Sequence, residues 1–161
     1  MDGYEFLQDK FKLVTREDYR SCDLSNSTKK ILCDIGLPYE PLNFIQFNIE
    51  EIDNINFDEE YIIIGNDFGT NICVNNKDEV VSVDGESEYP IRFINKNLES
   101  FLEFVVIILK YENEIEESDD DEIHQVMQKI RKEFDEVDIK ALSSEDNWWS
   151  IILEQFELGV M

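Results

Sequence analysis

The chain has 161 residues, with 38 acidic and 14 basic side chains and a formal charge of -24. Hydrophobic residues make up 42% and aromatics 12%, which is enough for a real core, so the acidity is not that of a disordered chain. A surface this negative repels phosphate backbones and anionic lipid, which argues against nucleic acid and membranes as partners and in favour of basic ones.

The length suits one domain. The opening MDGYEFLQDKFK carries early acids and no apolar stretch of the signal-peptide kind. No window approaches the ~18 consecutive apolar residues of a membrane span. Cys22, Cys33 and Cys73 are an odd number at no metal-like spacing, so the plain expectation is a reduced, cytoplasmic protein.

Tyr4, Leu7 and Phe11 predict a short amphipathic helix over 4–11, and Thr15 to Leu24 is ambiguous. A second helix is expected from Ser25 through Ile31, Leu32 and Ile35. Gly36 would supply its left-handed cap, and Pro38 would stop it. The texture then turns to β. Strands are predicted at Phe44–Phe47, at a fully buried Tyr61–Ile64, at Asn71–Val74, at Val80–Val83 and at Ile91–Ile94. A turn at Gly65–Gly69 and hairpin chemistry at Asn75–Asp78 make consecutive strands antiparallel.

Three helices follow. Asn97 caps the first, Ser118 with Asp121 opens the second, and Ser143 with Asp146 opens the third, which Gly159 ends. The expected fold class is α+β, a central antiparallel sheet of about five strands with helices before and after it.

The charge is unevenly placed. Residues 1–33 are neutral, with six bases and six acids, whereas residues 34–76 hold nine acids and no base. The stretch Glu112–Glu122, acidic at eight of eleven positions, lacks the alternation and central Gly of a calcium loop, and it reads as a solvated helix start. His124 is the only histidine and has no second ligand at zinc spacing. No Gly-x-Ser-x-Gly elbow supplies a nucleophile, so no catalytic residue, metal or cofactor is expected. A metal-dependent enzyme using the Asp and Glu clusters is the competing reading from another class. Neighbours on a helix point about 100° apart, so one of Trp148 and Trp149 should anchor the last helix and the other sit at the edge of that contact. Core packing remains the default for both.

Several segments come in a suggestive order. They are Gly36-Leu37-Pro38 after a helix, YIIIGNDFGTNICVNN with Gly65, Asp67 and Gly69, and the strand Val80–Asp84. INKNLESFLEFV with Asn97, Leu98 and Phe101 follows, and the tail KALSSEDNWWSIILEQFELG closes the series. Together, over about residues 24–159, they resemble the SUKH superfamily, most closely its fourth group of bacterial immunity-type domains, which is related to fungal regulators of cell-wall synthesis. By this reading residues 1–161 form one SUKH-like domain, with 1–23 as an N-terminal helical extension.

The resemblance implies a non-catalytic protein-binding domain. It would be an immunity protein that binds and neutralises the basic toxin domain of a polymorphic toxin, with a nuclease as the expected activity. The alternative is an intracellular regulatory or scaffolding module of the same fold. The charge agrees with the first, because an acidic surface fits a cleft shaped for phosphates. Glu50, Glu51, Asp53, Asp58, Glu59, Glu60 and Asp67 are the candidate partner-binding residues. The sequence does not expose the oligomeric state.

Overall fold

The computed structural model describes residues 2–47 and 52–160. Helix α1 spans Asp2–Lys10 and turns Leu7 into the main core. Strand β1, Leu13–Val14, pairs antiparallel with β2, Leu37–Pro38, as a small ribbon. Between them lie a 3-10 turn over Glu17–Ser21 and helix α2 over Asn26–Lys29, which widens into a π-helical segment at Lys30–Ile35. Ser25 starts α2 as expected, its side chain accepting from the Thr28 amide. Gly36 corrects its expected role. Its φ of 98° is positive, but ψ is 166°, so it is no left-handed helical cap. A Cβ there would lie 2.9 Å from the Val14 backbone, so glycine is what lets the ribbon close.

The main sheet is a meander in the order β3 (Asn54–Asn56), β4 (Glu60–Asn66), β5 (Asn71–Val74), β6 (Val80–Val83) and β7 (Ile91–Asn95). Every neighbouring pair is antiparallel. The α+β class and five-stranded sheet are therefore as expected, but one strand is not where it was predicted. Phe44–Phe47 contributes only a bridge, in which Gln46 and Asn66 exchange two N–H···O bonds of 2.9 Å. Phe44, Ile45 and Phe47 are all buried, so this segment is enclosed on several sides and does not alternate like a strand. The missing strand is β3, whose Asn54 and Asn56 carry little β propensity.

Alternation divides the sheet into two faces. Ile62, Ile64, Ile72, Val74, Val80 and Ile94 join the main core with the helices. Tyr61, Cys73, Val81 and Val83 form a second cluster. The expectation of a fully buried β4 fails at Ile63, which is only half-buried against that second cluster. The register slips between Ile63 and Gly65. A Cβ at Gly65 would fall 2.5 Å from the Gln46 carbonyl oxygen, so the bridge needs glycine there. Asp78 adopts a φ of 67° in the β5–β6 turn, as its hairpin chemistry predicted.

Helix α3, Leu98–Lys110, starts where expected, with the Asn97 side chain accepting from the Ser100 amide. Phe101, Phe104 and Val105 of α3 are fully buried beneath the other helices. The acidic run holds an unexpected short helix, α4, at Glu112–Glu117. Its presence moves the start of α5 to Glu122, and α5 runs to Val137. Ser118 is thereby left at the end of α4, where its hydroxyl donates to the Glu114 carbonyl. Asp119 takes over the expected capping role, accepting from the amides of Asp121 and Glu122 at 3.0 and 2.8 Å. A 3-10 turn spans Ile139–Leu142, and α6 spans Trp148–Leu158. Asn147, not Ser143, precedes α6; the Ser143 hydroxyl closes the 3-10 turn by donating to the Lys140 carbonyl. Gly159, left-handed at φ 71°, ends α6 as predicted.

Both tryptophans are core residues, so neither lies at an edge. Trp148 meets Phe44 and Phe101 edge-on or tilted, while Trp149 meets Phe104 and Phe134, whose rings stack at 3.7 Å. The two directions 100° apart are both enclosed because α6 has packed elements on either side. A polar chain crosses this apolar centre. The Trp149 indole N–H donates to Asn95 Oδ1 at 2.8 Å, and Asn95 donates on to Asp138 Oδ2 at 3.1 Å. The same carboxylate oxygen accepts from the Lys96 amide at 2.8 Å, so β7, α6 and the 3-10 turn are tied together.

Candidate interaction surface

The acids of the base-free block sort themselves along β4. Asp53 immediately precedes β3, Asp58 and Glu59 lie in the β3–β4 turn, and Glu60 opens β4. Glu50 and Glu51 lie outside the described residues. Asp67 is at the far end of β4, about 20 Å along the strand from Glu60.

These side chains have different commitments. Asp58 accepts from the Tyr61 hydroxyl, and burial together with this carboxylate pushes the Tyr61 pKa up, so the hydroxyl stays a donor. Glu59 Oε1 accepts from the Asn76 amide at 2.8 Å and ties its turn to the β5–β6 turn. Among the described residues, Asp53 Oδ1 accepts only from the adjacent Asn54 amide, at 2.8 Å. Asp53 and Glu60 are both exposed and line one open groove of about 470 Å³.

The opposite wall of that groove comes from Ser21, Cys22 and Asp23. Tyr19, buried in the preceding 3-10 turn, donates its hydroxyl to the Ile63 carbonyl at 2.8 Å and holds this wall beside β4. Burial, and then the Glu60 carboxylate, raises the Cys22 thiol pKa, so the thiol stays neutral within the acidic groove. Asp23 is the groove residue that sequence reasoning missed. It lies in the ambiguous 15–24 stretch, and the hydrogen bond from Tyr19 to Ile63, 44 residues away, holds that stretch against β4.

Asp67 is half-buried and engaged internally. Oδ1 accepts from the amides of Gly69 and Thr70 at 3.1 and 2.6 Å, and Oδ2 accepts from the Thr70 hydroxyl and the Trp148 indole N–H, both at 2.9 Å. It shapes the β4–β5 turn, where Phe68 takes a φ of 70°, and seats that turn on α6.

Among the described residues, no three His, Cys, Asp or Glu side chains converge to hold a metal ion. His124 is exposed, with Nδ1 2.9 Å from Glu157 Oε1. Burial raises the Glu157 pKa, but His124 and Arg131 outweigh it and hold the carboxyl below its usual range. Among the described residues, no helix is long and apolar enough to cross a membrane.

The meander with its flanking helices is the α+β architecture that a SUKH-type domain leads one to expect. A family model described as SUKH-4 immunity protein matches residues 13–155, so the chain belongs to the SUKH-4 immunity protein family. The match takes in the β1–β2 ribbon and the 3-10 turn carrying Tyr19. No curated protein matches the chain, and no solved structure does.

Proposed function

We propose that this protein is an immunity protein that binds a toxin domain in the cytoplasm of the producing cell and neutralises it without catalysis. Membership of the immunity family carries this reading. The partner is a basic toxin domain, a nuclease by the chemistry of the surface offered to it. A nuclease cleft is shaped and charged for phosphates, and a groove flanked by Asp23, Asp53 and Glu60, with Asp58 and Glu59 at the adjoining turn, presents the complementary sign. Occupying that cleft would exclude the substrate.

The test uses the toxin domain encoded beside this chain. Co-expression should restore growth, and the purified pair should co-elute at low salt; a pair that does not associate there sinks the reading. Asp53 and Glu60 are the residues to reverse, because neither holds a turn together as Glu59 does. The double variant Asp53→Lys, Glu60→Lys should lower the association rate by roughly tenfold or more at low salt, with a much smaller change in dissociation. Association kinetics equal to wild type would remove the hairpin from the interface.

A further inference from the structure

A second cavity, of about 180 Å³, lies at the other end of the sheet from the hairpin groove. One side is the flank of α6, with Trp148, Ile151, Ile152 and Gln155; the other is the β4–β5 turn with Asp67 and the β6–β7 loop with Asp84 and Ser87. Its floor is Ser82 of β6. That side chain points away from Val81 and Val83, toward the helix side of the sheet, and the residue is only 4% exposed. Its hydroxyl has no hydrogen-bond partner among the described residues. The oxygen is not sealed off, since no buried side-chain N or O atom among the described residues lacks a partner; it opens into the cavity, free to meet a ligand there.

The remaining wall groups show what would complete it. Asp67 already accepts four hydrogen bonds. Asp84 Oδ1 accepts from the Glu86 amide at 3.2 Å, and its other oxygen accepts from none of the described residues. Ser87 Oγ accepts from the Tyr89 amide at 3.2 Å. Arg92 is the one cation of the lining, and it is engaged: Nη1 donates to the Asp146 carbonyl at 2.7 Å and the guanidinium lies 5.0 Å over the Tyr89 ring. Two carboxylates against one guanidinium leave the lining net negative. Its free acceptors are the Ser82 hydroxyl, the second Asp84 oxygen, and the Asn43 and Gln155 carbonyls, and of these only the Asp84 oxygen carries charge. An anion is disfavoured by the net negative lining. Small-molecule sites usually measure about 300–1,000 Å³, so this one is sized for a single side chain.

We infer that this cavity is a socket for one basic side chain, arginine or lysine, of the toxin domain, inserted between Asp84 and the Ser82 hydroxyl with Trp148 as its wall. The inference rests on the immunity reading and adds an anchor to it. The hairpin groove steers by charge from outside, whereas the socket would hold one cation against the Asp84 carboxylate, with the Ser82 hydroxyl as a second acceptor.

Two measurements on the full chain test it. In the first, N-acetyl-arginine amide is titrated while the Trp148 indole N–H is followed by NMR, with Trp148→Phe used to assign the signal. A saturable shift is expected, lost in Asp84→Asn and not produced by N-acetyl-glutamate amide. In the second, Ser82→Ala and Asp84→Asn are measured against the toxin domain. Asparagine keeps the oxygen that accepts from Glu86, so the loop should survive the change. Each should weaken the complex by roughly tenfold or more, chiefly through faster dissociation, with Glu122→Gln as an unaffected control. An indole signal that arginine amide leaves in place overturns the socket. So does wild-type affinity in both variants. If wild type itself fails to bind the toxin domain, the immunity reading falls, and the amide titration still decides whether the cavity takes a cation.

Discussion

At the scale of single residues, two glycines are required for different reasons. Gly36 needs its positive φ and also meets the Val14 backbone. Gly65 has ordinary backbone but stands under the Gln46 carbonyl, where a methyl group would fall 2.5 Å from oxygen. Gly65→Ala must therefore part the Gln46–Asn66 bridge or bend the β4 bulge. Overpacking of this sort costs about 1–3 kcal/mol. Urea unfolding should show a lower midpoint with an unchanged slope. A wild-type midpoint would mean that the 44–47 segment does not bridge to β4.

At the scale of elements, helices were easier to read than strands. The apolar spacing of Ile123, Val126, Met127, Ile130 and Phe134 is a property of one segment, and all of them are buried on α5. Capping at Ser25 and Asn97 is equally local. Strand β3 was illegible because Asn54-Ile55-Asn56 becomes a strand only by pairing with Glu60–Ile62. Phe44–Phe47 was misread because a run of apolar residues looks the same whether it pairs in a sheet or is wrapped by a core. The candidate surface divides in the same way. The acids of the hairpin stand out as a base-free block, but Asp67's bond to Trp148 spans 81 residues and no local pattern announces it. Elements are also joined by the buried polar chain Trp149–Asn95–Asp138. Asp138→Ala strands the Asn95 amide and the Lys96 N–H without an acceptor, at a cost of about 1–3 kcal/mol. Asp138→Asn retains an acceptor oxygen and should lose less. Thermal melts of the two variants check this, and equal melting temperatures would show that the chain is not what couples β7 to the 3-10 turn.

At the scale of the whole molecule, the charge of -24 works against the fold that carries it. Ion pairs such as Lys10–Glu112 and Arg20–Asp34 join solvent-exposed side chains and contribute little. Self-repulsion therefore dominates the long-range electrostatics. Added salt should stabilise the free protein while slowing its association with a basic partner. Raising sodium chloride from about 10 mM to about 0.5 M spans Debye lengths of roughly 30 Å to a few Å. Over that range the melting temperature should climb; a fall would show that the ion pairs outweigh the repulsion.

The Tyr19–Ile63 hydrogen bond has a consequence for anyone who would shorten this chain. The groove beside the hairpin is made of two segments, far apart in the chain, that meet in the folded protein. A synthetic peptide copying the hairpin would carry most of the acids and only one of the two walls. Inhibition should therefore not be transferable in miniature. The charge can be excised, but the shape that aims it belongs to the folded whole.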